Sequence, residues 1–265
     1  MVGLFTRGWG YRKPPLGARL NRSHQLAQGL VGYWVMNEMG GTTLIDSAGI
    51  NTGTLTNGPT WTAGQFGPTV NFDGANDSVN IADNPSLDLG NTGALVLWVN
   101  ASDWANNPFL VAKSGGTNAT TNYRLEQYLG TLYITLGNGT DFSQVGKTWA
   151  PATNTWYMVT GIWNGVDQNL YVDAALLVSA GSQAIVPAGN TNIVEIGDAI
   201  NHSGTRRFTG RIDNVRIYNR ALSPQEIRWL YQEPFADFQP VRRVFGNVAF
   251  TFDELIASRR LLSMP

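Results

Sequence analysis

The sequence predicts an all-β protein, two antiparallel sheets packed as a sandwich, with an N-terminal arm before it and a C-terminal extension after it. Three observations predict this. Apolar and polar residues alternate over short runs such as residues 78–81 and 208–218, the period of a half-buried strand. Thirty Gly and twelve Pro break the chain at short intervals, as many short strands joined by tight turns require. No stretch sustains a long 3.6-residue apolar period, and 43% hydrophobic residues suffice for one large core.

Taken in order, residues 1–29 form the arm, Gly-rich and basic, held extended at Pro14-Pro15. The sandwich spans 30–232 and begins with a strand at 30–36. Residues 40–67 are rich in Gly, Thr and Asn, with turns at Asn57-Gly58-Pro59 and Gly67-Pro68. Strands follow at 69–72, 78–81, 93–100, 109–113, 123–128 and 131–136. Residues 156–163 and 169–173 read as a pair joined by the turn Asn164-Gly165-Val166-Asp167. Strands at 193–196 and 208–218 complete the set, a spacing that argues for a sandwich of the jelly-roll kind. Ser223 then caps a helix with Pro224 at its first position and Glu226 three residues after the cap. Ile227, Leu230 and Tyr231 share one face of it. The tail, 233–265, carries an expected strand at 247–252 and a helical run at 253–262.

Three motifs resemble one family in register. They are Gly32-Tyr33-Trp34, the run Phe72-Asp73-Gly74-x-x-Asp77-x-Val79, and Ile212-Asp213-x-Val215-Arg216-Ile217-Tyr218-x-Arg220-Ala221-Leu222. In this order they resemble the LamG-like jelly rolls of the concanavalin A-like sandwiches. That family hosts binders, enzymes and structural proteins alike, so the resemblance implies the fold ahead of the function. It also implies one structural calcium near the Ile-Asp-x-Val strand, with Asp213, Glu38 and Asp46 as its ligands. Against that stands a structural reading, in which Asp46 caps the turn Asp46-Ser47-Ala48-Gly49 and Asp213 accepts backbone amides.

Charge separates the arm from the body. Residues 1–37 hold five basic side chains and no acidic one, whereas residues 38–233 hold nine basic and sixteen acidic. In the arm Arg7, Trp9 and Arg12 alternate cations with aromatics, and the tail carries Arg242 and Arg243. Five cations beside an acidic body speak against nucleic acid and for attachment to an acidic protein surface. With no cysteine, disulfides and Cys-based metal or redox sites are excluded. The first twenty residues show neither the apolar core nor the cleavage site of a secretory signal. No run approaches the length of a membrane span, so assembly in a cytoplasm is expected.

Catalysis is not expected. A glycosidase on such a sandwich needs two carboxylates facing one sugar, and no strand presents them: Glu126, Glu195 and Asp198 stand apart. His24 and His202 are too few for a metal cluster. Carbohydrate binding needs an exposed aromatic face among amides, for which Trp104, Tyr123 and Trp149 sit in polar sequence. Trp34, Trp98, Trp156 and Trp163 alternate on strands and belong to the core.

Pro14, Pro15, Gly17, Leu20 and Asn21 of the arm, with residues 233–243 of the tail, resemble the flanks of LamG-like proteins of tailed bacteriophages. This resemblance implies a non-enzymatic virion protein, first a capsid decoration and otherwise a head-fibre or tail component. It would be assembled in the host cytoplasm as a homo-oligomer on the major capsid or another virion protein, with a cell-surface glycan as second partner. A free carbohydrate-binding module is the alternative, and a glycoside hydrolase comes third.

Overall fold

The computed structural model describes residues 11–180, 183–199 and 206–239, together with the backbone of 242–245 and 248–251. Its strands are β1 (Leu30–Trp34), β2 (Thr43–Leu44), β3 (Gly53–Thr56), β4 (Thr60–Ala63), β5 (Pro68–Asp73) and β6 (Ser78–Ile81). Then come β7 (Gly93–Asp103), β8 (Phe109–Ser114), β9 (Thr121–Tyr128), β10 (Thr131–Gly137), β11 (Phe142–Thr148) and β12 (Tyr157–Trp163). The last are β13 (Gln168–Val172), β14 (Ala175–Ala180), β15 (Val194–Ile196), β16 (Thr209–Tyr218), helix α1 (Pro224–Gln232), and a hairpin of β17 (Arg242–Phe245) and β18 (Val248–Thr251). The helical run expected at 253–262 lies outside the described residues.

The first sheet runs β14-β13-β12-β7-β16-β5-β4, with β1 also on β16, and the second runs β11-β10-β9-β8-β15-β6-β3-β2. All their pairings are antiparallel. The two-sheet sandwich is as the sequence predicts. The Gly/Thr/Asn-rich stretch before β5 adds β2, β3 and β4. Strands β11 and β14, absent from the sequence reading, edge the two sheets.

Period-two alternation divides the apolar residues into two layers. Between the sheets lie Trp34, Phe72, Leu97, Val99, Leu125, Ile134, Val159, Trp163, Ile196 and Ile212. The other face of the first sheet presents Tyr33, Val96, Trp98, Met158, Ile162 and Tyr218, also buried. What covers it is Leu20 and Leu26 of the arm, Ile227 and Leu230 of α1, and Phe235 and Phe238 of the tail. Each such side chain contributes roughly 1.5–3 kcal/mol by leaving water.

The capping box of α1 forms reciprocally: Ser223 Oγ accepts from Glu226 N–H, and Glu226 Oε2 accepts from Ser223 N–H. Arm and tail also pair with each other. Leu20 bridges Phe238, Asn21 N–H donates to Asp237 O (2.7 Å) and Gln239 N–H to Arg19 O (2.8 Å). A boundary at residue 30 therefore cuts through a packed layer, because the arm from Tyr11 and the tail to Phe238 are parts of one body. His24 accepts from Leu26 N–H through Nδ1 and lies 4.7 Å from the Trp229 ring.

Candidate functional site

With the first sheet covered, the second sheet reaches solvent on the outward face of β10 and β11, where Tyr133 is half-buried and Gln144 exposed, while the outward Asn122, Arg124 and Glu126 of β9 are buried. Alternation turns Leu125, Leu132, Ile134 and Val145 inward and leaves Arg124, Glu126, Tyr133, Thr135 and Gln144 outward. Register aligns Asn80, Glu195, Ala112, Arg124, Thr135 and Gln144 in one row across six strands, polar except for Ala112. In the next row Glu126 stands opposite Tyr133, and Tyr133 opposite Gly146.

Tyr133 lies flat because of that glycine. A Cβ at Gly146 would sit 2.2 Å from the Tyr133 ring, so the ring occupies the room that a side chain would take. The result is a half-exposed aromatic face with Gln144 and Thr135 beside it, those two joined at 2.8 Å. Tyr128 and Phe142, 41% and 44% exposed, add aromatic surface on the same strands.

The charges on this face hold one another. Glu126 Oε1 accepts from Arg124 Nε (3.0 Å) and Nη2 (2.7 Å), and Oε2 accepts from Arg206 Nη2. The Arg206 guanidinium also lies 4.1 Å from the Phe109 ring and 4.4 Å from that of Tyr128. Burial pushes the Arg124 guanidinium below its ordinary value, opposed by the Glu126 charge beside it. Glu126 is thus clamped on both oxygens by guanidinium groups, a structural ion-pair arrangement. At the end of the sheet where β9 begins, a pocket of about 330 Å³ is lined by Thr120, Thr121, Asn138, Asn190 and Asn192, donors and acceptors suited to hydroxyl groups.

The aromatic residues singled out from sequence lie elsewhere. Tyr123 is a core residue, fully buried and stacked on Trp163 at 6.3 Å, so it cannot meet a ligand in solvent. Burial also raises its hydroxyl well above the usual range. Trp149 is buried, and Trp104 is half-buried with its ring edge-on to Trp149 (5.2 Å) and Phe208 (6.0 Å). These two anchor a loop and present no flat platform. Trp34, Trp98 and Trp163 are in the core as expected, while Trp156 is half-buried beside Arg211.

Tyr133 went unremarked in the sequence reading, although its outward position follows from the alternation of 131–136. Its partner Gly146 lies on a strand that the sequence did not disclose.

The calcium trio does not assemble. Asp46 accepts three backbone N–H groups, from Tyr33 (2.9 Å), Ala48 (2.8 Å) and Asn51 (3.0 Å), as a turn-capping carboxylate does. Glu38 Oε1 accepts from Ile45 N–H at 2.7 Å. Asp213, fully buried, is paired with Lys13 of the arm. Burial raises the Asp213 carboxyl to about 7 against the opposing pull of Lys13, and burial lowers the Lys13 ammonium. Among the described residues no group of three or more His, Cys, Asp and Glu could hold a metal ion. Those residues therefore do not fit calcium in this arrangement. Of the attachment residues, Arg12 is exposed, whereas Arg7 and Trp9 lie outside the described residues and only the backbone of Arg242 and Arg243 is described. No described helix is long and apolar enough to cross a membrane.

A family model for the concanavalin A-like lectin/glucanases superfamily matches residues 73–228. Among solved structures, the binding domain of Paraclostridial Mosquitocidal Protein 1 is similar, with 16% identity, a TM-score of 0.63, and coverage of 83% of this chain and 57% of that one. The botulinum neurotoxin serotype D ligand binding domain, solved in complex with N-acetylneuraminic acid, matches at 13% identity and a TM-score of 0.61 over 77% of this chain and 51% of its own. Domain 4 of AbnA, a GH43 extracellular arabinanase from Geobacillus stearothermophilus, solved with arabinotriose, matches at 19% and 0.61, over 77% of this chain and 98% of that one. The chain thus spans about half the length of the toxin binding domains. At these identities the likeness is one of fold. No curated protein matches the sequence.

Proposed function

Because this chain belongs to the concanavalin A-like lectin/glucanase superfamily, whose model spans more than half of it, we propose that it is a non-enzymatic glycan-binding sandwich. One observation carries this reading: the Tyr133 ring laid over Gly146 at the solvent-facing edge of the second sheet, with the exposed Gln144 amide beside it, itself held by buried Thr135. A ring in that posture offers its π face to the apolar side of a sugar while neighbouring amides and hydroxyls bind its hydroxyl groups. The AbnA domain and the serotype D domain, solved with a saccharide and with a sialic acid, lend support by fold. Against catalysis stands Glu126, whose two oxygens are both spent on arginines.

Tyr133→Ala is expected to weaken glycan binding roughly tenfold, the worth of about 1.4 kcal/mol of ring contact, with little change in melting temperature. A glycan array identifies the ligand, and titration of wild type and variant measures the loss. Affinity unchanged by Tyr133→Ala would remove this face from the site.

A second reading concerns where the module is carried. Residues 11–29 and 233–239 both pack on the covered side of the first sheet, away from the glycan face. A body gripped from that side would present its second sheet outward. This supports decoration of a virion capsid through the termini, with Arg12 and the segment before it in the grip. Deleting residues 1–10 spares every packed arm residue described here. The deletion is expected to abolish co-sedimentation with capsids while leaving glycan binding intact. A shortened chain that still decorates capsids would leave the free carbohydrate-binding module as the better account.

A further inference from the structure

The pocket of about 330 Å³ at the end of β8 and β10 shares no lining residue with the Tyr133 face and is lined wholly by Gly, Ala, Thr and Asn. Neither an ionised side chain nor an aromatic ring borders it. One wall is the segment 188–192, Ala-Gly-Asn-Thr-Asn, which leads into β15. It carries no apolar side chain larger than that of alanine, so packing cannot hold it in place. Lys113 holds it instead. That fully buried ammonium donates to Asn190 O (2.9 Å) and Asn192 O (2.6 Å), and it pairs with Asp83 (2.5 Å) and Asp88 (3.3 Å). Asp88 accepts in turn from Asn190 N–H at 3.2 Å, and Asn122 Nδ2 donates to Ala188 O at 2.8 Å.

The opposite wall is as firmly set. Gly139 N–H donates to Ala119 O (2.8 Å), the hydroxyls of Thr117 and Thr120 bond at 2.8 Å, and Asn190 Nδ2 reaches across to Thr120 O (3.1 Å). Gly189 is required where it stands, because a Cβ there would lie 2.7 Å from the Asp88 carboxyl carbon. The pocket therefore meets bare backbone beside side-chain amides. Asn138 spends its Oδ1 on the N–H groups of Thr140 (3.1 Å) and Asp141 (2.8 Å), while its Nδ2 has no acceptor among the described residues.

A buried ammonium is costly unless it is fully bonded, and this one is spent on a surface loop and the carboxylates beside it. A wall fixed in advance lowers the ordering cost of whatever binds against it. Uncharged amides, hydroxyls and backbone groups match the hydroxyl groups of a sugar. Behind the wall two carboxylates face one ammonium, a surplus of one negative charge that disfavours an anionic sugar. The volume lies at the small end of ligand sites, with room for about one sugar ring. On the reading of this chain as a glycan binder, we propose that the pocket is a second saccharide site, separate from Tyr133, which seats one neutral sugar by hydrogen bonds and turns away a sialic acid.

The test titrates the isotope-labelled full-length chain by NMR with D-galactose, D-glucose, L-arabinose and N-acetylneuraminic acid. Each is taken to about 50 mM, above the millimolar dissociation constant expected of one ring held without stacking. At least one neutral sugar is expected to shift the side-chain amides of Asn138 and Asn190 and the backbone amides of Gly139 and Gly189, saturably. N-acetylneuraminic acid is expected to leave them in place. Asn138→Asp keeps the acceptor that caps the turn but loses the donor, and is expected to weaken that binding about tenfold. Ala188→Trp, at an exposed position on the pocket's border, is expected to abolish it with the melting temperature unchanged. The proposal is overturned if no neutral sugar moves these amides, if the sialic acid moves them equally, or if Ala188→Trp leaves the shifts intact. Shifts confined to Tyr133 and Gln144 would uphold the sheet-face reading and overturn this site. Shifts at the pocket with none at Tyr133 would uphold this site and count against that face.

Discussion

Asp237→Ala is expected to lower the melting temperature by roughly 10 °C and to free the tail from the sandwich. Asp237 and Arg216 are fully buried, joined through Nη1–Oδ2 at 2.8 Å and Nη2–Oδ1 at 3.3 Å. The same guanidinium donates to the hydroxyls of Tyr33 (2.5 Å) and Tyr218 (3.3 Å), to Asn214 Oδ1 (3.3 Å) and to the Pro234 carbonyl. Its carbon lies 3.9 Å from the Tyr33 ring. Arg216 therefore reaches from β16 through the covering layer and holds the tail by a side chain and a carbonyl at once. Burial works against its charge, but the Asp237 carboxylate beside it more than offsets that and holds the guanidinium above its ordinary value.

Without Asp237 that charge has no counter-ion in a place where water cannot reach. Breaking one partner of a buried pair costs about 3–5 kcal/mol, and each kcal/mol shifts a domain of this size by about 2–4 °C. Asp237→Asn keeps an acceptor and should fall in between. Calorimetry reads the shift, and limited proteolysis after Phe238 reads the release. A loss under about 2 °C would mean that apolar contacts, chiefly of Phe235 and Phe238, hold the tail without this pair.

These two features were not equally legible. The tail's aromatics announce burial through their density alone, and Ser223, Pro224 and Glu226 announce the helix start by spacing. β7, an unbroken apolar run buried on both faces, and the alternating β16 read directly from their residues. The edge strand β11 did not: Gly146 and Lys147 interrupt its pattern, and only Ser143 and Val145 turn inward. β2, β3 and β4 are short and set by their pairing partners, which no local window contains.

The same distance in sequence hid the sites. The family resemblance groups Asp213 with Glu38 and Asp46 of the first strand-loop, yet the group that meets Asp213 is Lys13 from the arm. Tyr123 heads an expected strand beside Thr and Asn, the polar flank that makes it a sugar-binding candidate, but it is the third residue of β9 and faces inward. What decides an aromatic residue's role here is strand parity, and parity is known only once the strand is.

Glu126 brings fold and function to one residue, and Glu126→Ala separates the two accounts of it. It is buried with Arg124, both 2% exposed, while Arg206 reaches solvent at 22%. Removing the carboxylate takes the counter-ion from the Arg124 guanidinium, which keeps bonds such as those to Asn118 Oδ1 (2.6 Å) and Thr121 Oγ1 (3.4 Å). It also frees Arg206 from its place between Phe109 and Tyr128. The expected cost is about 3–5 kcal/mol, again near 10 °C of melting temperature, with glycan affinity falling as the face beside Tyr133 loosens. Glu126→Gln, which still accepts from Arg124, should cost less. A catalytic carboxylate would behave oppositely, because its removal typically abolishes turnover and leaves the fold intact or firmer. A melt that scarcely moves in Glu126→Ala would therefore return Glu126 to the list of general-base candidates. A large fall fixes it as the brace that holds Arg124 and Arg206 beside Tyr133, on the face proposed to meet a sugar.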